Sequence, residues 1–112
     1  MKNTTLLILL TLFITSCGDN LVEEVKERYD DGKLKVTEYY KKVGDNQELV
    51  RKRKYYENGQ IDYEENYKDG KLDGKLTGYY ENGQIRGEGN YKDGEQDGKY
   101  TFYHENGQIS RE

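Results

Sequence analysis

Tyr55-Tyr56-Glu57-Asn58-Gly59-Gln60-Ile61 returns as Tyr79-Tyr80-Glu81-Asn82-Gly83-Gln84-Ile85 and again as Tyr103-His104-Glu105-Asn106-Gly107-Gln108-Ile109, each copy 24 residues after the last. Between them, Tyr67-Lys68-Asp69-Gly70 returns as Tyr91-Lys92-Asp93-Gly94 at the same period. A weaker first copy, Tyr29-Asp30-Asp31-Gly32-Lys33-Leu34, is displaced by three extra residues, which we place in a loop over Lys41 to Gln47. Repetition at such a period marks one supersecondary unit stacked on itself.

Asn-Gly between alternating residues is a strong hairpin signal, because both central positions of a type I′ turn need positive φ, which Asn and Gly tolerate. Asn58-Gly59, Asn82-Gly83 and Asn106-Gly107 are the expected turns, with Asp31-Gly32 serving the first copy. Two-residue loops would set Tyr56 across from Ile61, Tyr80 from Ile85, His104 from Ile109 and Tyr29 from Leu34. The second turns, Lys68 to Asp73 and Lys92 to Asp97, are expected to be longer, each carrying paired Asp-Gly steps.

Period-2 alternation then divides the side chains between two faces. An inner face is expected to hold Leu34, Val36, Tyr40, Ile61, Tyr63, Tyr67, Leu76, Ile85, Tyr91, Tyr100 and Phe102. The polar face would carry Lys35, Arg53, Asp62, Glu64, Asn66, Thr77, Arg86, Glu88, Asn90 and Thr101, with Tyr55, Tyr79 and Tyr103 recurring along it. One repeat is two strands, so these tyrosines should stand roughly 9 to 10 Å apart as a candidate partner-binding ladder. The predicted fold is all-β: an antiparallel meander of repeated hairpins in a single-layer, elongated sheet. Its eight strands are expected near 24–29, 34–41, 49–56, 61–68, 74–80, 85–91, 98–104 and 108–112.

Tyr-Tyr-Glu-Asn-Gly-Gln-Ile, Tyr-Lys-Asp-Gly-Lys-Leu-Asp-Gly-Lys and the 24-residue spacing resemble the MORN-variant repeats of bacterial proteins, some of them labelled antitoxin-like. The resemblance covers residues 25–112. It implies a sheet of hairpins used for scaffolding or partner binding, without catalysis. The first copy departs from the pattern at Val43 to Glu48, and the fourth reaches Glu112 before its closing tyrosine.

Leu, Ile, Val and Phe together make up less than a fifth of a highly charged chain, a composition that also suits disorder. The 12 tyrosines, in register with the turns, favour a fold. Tyrosine buries a large area while its hydroxyl stays wet, which suits a thin sheet.

Ahead of the repeats, Met1-Lys2-Asn3 gives a basic start, and Thr4 to Thr15 is apolar. That run is shorter than the roughly 20 residues a membrane-spanning helix needs, so residues 1–16 read as a signal peptide. Ile14-Thr15-Ser16-Cys17 resembles a bacterial lipobox, which implies cleavage before Cys17 and its acylation by fatty-acyl chains such as palmitate. Residues 17–24 would be the lipidated N-terminus and a short tether. Two acyl chains give stable anchoring, so the expected location is the bacterial envelope, held to a membrane through the lipid. Cys17 is the only cysteine, which excludes intramolecular disulfides and multi-Cys metal sites.

A formal net charge of -4 with interspersed signs argues against nucleic acid as a partner. The basic run Arg51-Lys52-Arg53-Lys54 divides between two strand faces. His104, the single histidine, stands where the other copies have tyrosine and reads as a substitute packing on Ile109. Glu57, Glu81 and Glu105 recur beside every Asn-Gly, as structural repeats do and a unique acid/base pair does not. The Asp-Gly loops lack EF-hand spacing and read as turn chemistry. No enzymatic activity, cofactor or metal is therefore expected.

Two function classes follow from this reading. One is an envelope interaction or scaffold module that docks a protein partner on Tyr55, Tyr79 and Tyr103 or along a sheet edge. The other is an envelope glycan-binding module using the same spaced aromatics. Toxin neutralisation, which the family label implies, fits poorly with export.

Overall fold

A computed structural model describes residues 12–13 and 20–112 of the chain. Cys17 and, apart from a two-residue strand, the signal segment lie outside the described residues. The strands are β1 (Leu12–Phe13), β2 (Leu21–Arg28), β3 (Leu34–Val43), β4 (Asn46–Tyr55), β5 (Ile61–Lys68), β6 (Lys71–Tyr79), β7 (Ile85–Lys92), β8 (Glu95–Tyr103) and β9 (Ile109–Arg111). They form one antiparallel sheet in strict chain order, so every strand pairs with its sequence neighbours. No described residue is helical. β2 starts at Leu21, ahead of the expected position. The predicted Lys41–Gln47 loop is largely strand, because Val43 pairs with Asn46 around a tight turn at Gly44 and Asp45.

The two turn types exchange the roles expected of them. At Asn58-Gly59 only the glycine has positive φ, 92°. The Gly59 amide donates to the Tyr56 carbonyl at 3.0 Å, and the Tyr56 amide donates to the Gln60 carbonyl at 2.8 Å. The loop is therefore three residues, a type I turn closed by a left-handed glycine. Asn58 serves by its side chain, whose Oδ1 accepts the Gln60 amide at 2.9 Å. Asn82 and Asn106 make the same bond, and Asp31 makes it to Lys33 in the first copy. The type I′ geometry belongs instead to Asp69-Gly70, with φ of 51° and 80°, and to Asp93-Gly94, with 50° and 88°. These are tight, not long: Lys68 pairs directly with Lys71, and Lys92 with Glu95.

One additional loop residue moves the register by one. Ile61 lies opposite Tyr55, Ile85 opposite Tyr79, Ile109 opposite Tyr103 and Leu34 opposite Arg28. Those pairings replace the expected ones with Tyr56, Tyr80, His104 and Tyr29. A bulge follows each turn: Lys54 pairs with Tyr63 while the next residue, Tyr55, pairs with Ile61, so Asp62 is the additional residue. Arg86 is its counterpart in the next repeat. Cross-strand partners share a face, so Leu34, Ile61, Ile85 and Ile109 leave the expected inner face for that of Tyr55, Tyr79 and Tyr103. In the opposite direction, Arg86 swings over the face of Gly78, with Nη2 only 2.8 Å from where a Gly78 Cβ would stand.

Neither face is inner in the ordinary sense. The most buried side chains are Thr37, Tyr39 and Thr77, and they lie on the expected polar face. With so little interior, repeats hold one another through directed bonds, as in other linear arrays. The Tyr29 hydroxyl donates to the Tyr55 carbonyl at 2.7 Å, Tyr56 to the Tyr79 carbonyl at 2.6 Å, and Tyr80 to the Tyr103 carbonyl at 2.7 Å. At the turn tips, the Asn58 amide donates to the Glu81 carbonyl at 3.0 Å and Asn82 to the Glu105 carbonyl at 3.4 Å. At the opposite end, the Gly94 amide reaches back to the Leu72 carbonyl at 2.8 Å.

Candidate functional site

Register places Tyr55, Tyr79 and Tyr103 at equivalent positions of β4, β6 and β8, each beside an isoleucine. Alternate strands of a sheet stand roughly 9 to 10 Å apart, so these Tyr/Ile pairs form a row crossing it. Two of the hydroxyls are tied to the sheet. Tyr55 Oη lies 3.4 Å from Thr37 Oγ1, and Tyr103 Oη donates to Glu88 Oε2 at 2.8 Å. The hydrogen bond to Glu88 raises the Tyr103 pKa. All three rings remain half-buried, and Ile109 at the end of the row is 56% exposed.

A polar network continues the same face toward the N-terminal strands. Tyr39 donates to Glu23 Oε2 at 2.8 Å and accepts from Arg53 Nη1 at 3.2 Å, while Arg53 Nε donates to Glu64 Oε2 at 2.6 Å. Arg51 and Arg53 lie 5.5 and 5.1 Å from the Tyr39 ring centre. Burial, reinforced by Glu23, pushes the Tyr39 hydroxyl far above its ordinary pKa. Burial opposes the charge on Arg53, but Glu64, Tyr39 and Tyr55 together outweigh it and raise the guanidinium's pKa. Arg51 and Arg53 share this face, and Lys52 and Lys54 take the other, opposite Glu38 and Val36. The basic run is thus divided, as its alternation requires.

The opposite face holds a hollow that the repeat pattern did not announce. Two neighbouring rows cross the sheet there. One runs Tyr63, Gly78, Gly87, Phe102, and the other runs Glu65, Leu76, Gly89, Tyr100. Gly87 and Gly89 break the repeat, since the residues 24 positions earlier are Tyr63 and Glu65. Their bare backbone receives aromatic rings: a Cβ on Gly89 would stand 2.5 Å from Tyr100 Cδ2, and one on Gly87 would stand 3.2 Å from Phe102 Cδ1. Tyr100 and Phe102 pack against each other with centroids 4.9 Å apart. Between them and Tyr63 lies a hollow of about 310 Å³, with Glu65, Leu76 and Arg86 completing its wall. Glycine inside a strand signals close approach of another group, and that signal was available in the sequence.

His104 is exposed in its turn, and the strand pairing of Ile109 is with Tyr103. Among the described residues no group of three or more His, Cys, Asp or Glu is placed to hold a metal ion. Glu57, Glu81 and Glu105 stand exposed on successive turn tips. The described residues contain no helix long and apolar enough to cross a membrane.

No curated protein and no solved structure shows a significant match to the chain. The MORN repeat variant pattern matches four times, at residues 24–42, 51–69, 72–93 and 96–112, over more than half of the chain and in step with the stacked hairpins. MORN repeats are generally non-catalytic binding modules, and this chain, a repeat-based interaction module, belongs to the MORN repeat variant family.

Proposed function

We propose that this protein is a lipid-anchored, non-catalytic docking module of the bacterial envelope that binds a protein partner on the face of Tyr55, Tyr79 and Tyr103. The observation that carries this reading is the Tyr/Ile pair presented at the same register by three successive hairpins. Tyrosine is enriched at protein interfaces because it offers large area with little side-chain freedom to lose. Hydroxyls already bonded at Tyr55 and Tyr103 reduce that loss further. Anchoring rests on Cys17 and the apolar run before it, which leave the repeats to face the aqueous side.

Two experiments test it. Cys17→Ser should release the protein from the membrane fraction or leave it unprocessed, and continued acylation and membrane association would refute the anchor. Affinity capture from envelopes with the full chain should retain a stoichiometric protein. That protein should be lost with Tyr55/Tyr79/Tyr103→Ala and kept with Tyr63→Leu on the opposite face, both variants having a native circular dichroism spectrum. Equal capture by the native chain and the triple variant would remove the tyrosine row from the interface.

A further inference from the structure

We propose that the hollow between Tyr63 and Phe102 is a binding site for a pyranose ring of an uncharged glycan. It lies on the face opposite Tyr55, Tyr79 and Tyr103, and it stands independently of the protein-docking reading.

The site departs from the repeat at the place where it forms. Positions equivalent to Gly78 hold Lys54 one repeat earlier and Phe102 one repeat later. Gly87 and Gly89 admit the rings of Tyr100 and Phe102, whereas the close neighbour of Gly78 is a guanidinium. Arg86 Nη2 lies 2.8 Å from where the Gly78 Cβ would stand. Paired directly, Gly78 and Gly87 make a floor without side chains of its own, with the Arg86 guanidinium leaning over Gly78 and the Tyr100 and Phe102 rings over Gly87, flanked by Tyr63 on one side and Phe102 on the other. Tyr63 and Phe102 stand three strand spacings apart, roughly 14 Å between backbones, which leaves room for a flat ring between the two side chains. A volume near 310 Å³ is at the small end for ligand sites and suits one or two sugar rings.

The polar groups select the class of ligand. Glu65, paired across the strands with Leu76, accepts the Tyr67 hydroxyl on one carboxylate oxygen at 2.7 Å, and its other oxygen is a further acceptor. Arg86 is already engaged: Nη1 donates to the Tyr56 hydroxyl at 2.8 Å and to the Tyr79 carbonyl at 2.7 Å, and Nη2 lies 3.5 Å from Asp62 Oδ1. Its charge is offset, so a phosphate or carboxylate gains little there. A purely apolar side chain would desolvate Glu65 and Arg86 without replacing their hydrogen bonds. A neutral sugar meets both demands. Its C–H faces lie against the electron-rich faces of Tyr63, Tyr100 and Phe102, and its hydroxyls donate to Glu65 and accept from Arg86.

The test is a titration of the isotopically labelled full chain in detergent, followed by amide and aromatic NMR signals, with cellobiose, N,N′-diacetylchitobiose and inorganic phosphate as probes. The expected result is saturable movement of the Gly78 and Gly87 amides and the Tyr63 and Phe102 rings with at least one disaccharide, and none with phosphate. Tyr63→Leu and Gly78→Ala should each weaken that binding about tenfold or more while the turn amides stay in place. Gly78→Ala is the gentler change, because the nearest atoms to its Cβ belong to the flexible end of Arg86. Absence of saturable movement with both disaccharides, an equal response to phosphate, or native affinity in both variants would overturn the proposal.

Discussion

Tyr56 donates its hydroxyl to the Tyr79 carbonyl oxygen at 2.6 Å, joining the turn of one hairpin to the strand end of the next. The same bond joins Tyr80 to Tyr103, 24 residues on. A hydrogen bond of this kind contributes about 1 kcal/mol net, and leaving a half-buried carbonyl without its donor costs more. Tyr80→Phe should therefore destabilise the sheet by about 1 to 2 kcal/mol in urea unfolding. Tyr56→Phe should cost about as much, because Arg86 still donates to the Tyr79 carbonyl but loses the Tyr56 hydroxyl as an acceptor. Equal stability of Tyr80→Phe and native protein would show that the hydroxyl only accompanies ring packing.

Turn chemistry gives a second prediction. Asp69 holds φ of 51° in a two-residue turn, whereas Asn58 has an ordinary negative φ and works through its side chain. A β-branched residue in the left-handed region costs roughly 1 to 2 kcal/mol. Asp69→Val should accordingly destabilise by that amount and Asp69→Asn by almost nothing. Asn58→Asp should keep the turn itself, since Asp31 already accepts the equivalent amide at 3.0 Å, and should lose only the bond from the Asn58 side chain to the Glu81 carbonyl, a cost of about 1 kcal/mol. Thermal melts of the three variants separate the two turn types, and a well-tolerated Asp69→Val would contradict the type I′ geometry.

The repeat period and its Asn-Gly and Asp-Gly steps were enough to read an antiparallel meander from the sequence. Register was harder, because Asn-Gly fits either a two-residue type I′ loop or a three-residue loop with a left-handed glycine. The bond from the Tyr56 amide to the Gln60 carbonyl and the negative φ of Asn58 distinguish them, and neither is written in the sequence. That one residue moved Ile61 and Ile85 across the sheet and brought Arg86 to the aromatic face. Tyr39 was overlooked because nothing local marks it. Its burial comes from Arg51 and Arg53 on the next strand and Glu23 on the one before. The hollow was hidden for the opposite reason: reading by repetition draws attention to what recurs, and Gly78, Gly87 and Gly89 are departures.

Those glycines should respond unequally to the same substitution. An alanine Cβ at position 89 would stand 2.5 Å from a carbon of the Tyr100 ring, which cannot yield without leaving the sheet. Overpacking of this kind costs about 1 to 3 kcal/mol. Gly89→Ala should lie in that range, and Tyr100→Ala should remove most of the penalty when combined with it. Gly78→Ala should be nearly neutral. A double-mutant cycle on unfolding free energy measures the coupling, and strict additivity of Gly89→Ala and Tyr100→Ala would mean that the ring does not occupy the glycine's side-chain space.

Alkaline pH should loosen the sheet earlier than its charge alone would suggest. Burial, followed by a hydrogen bond to Glu38, pushes the Tyr40 hydroxyl up to about 12 from an ordinary 10.0. Tyr39 and Tyr67 are raised further, burial again leading, with bonds to Glu23 and Glu65 behind it. A raised pKa means that the folded state keeps a proton the unfolded chain has lost. Stability from these groups is therefore complete below pH 10 and declines as pH rises through the folded values. The midpoint of urea unfolding should hold steady from pH 8 to pH 9.5 and fall above pH 10, in step with tyrosinate absorbance. Tyr40→Phe removes one of the linked protons and should flatten the fall between pH 10 and pH 12. If native protein and Tyr40→Phe lose stability with the same slope across that window, the alkaline sensitivity comes from other groups.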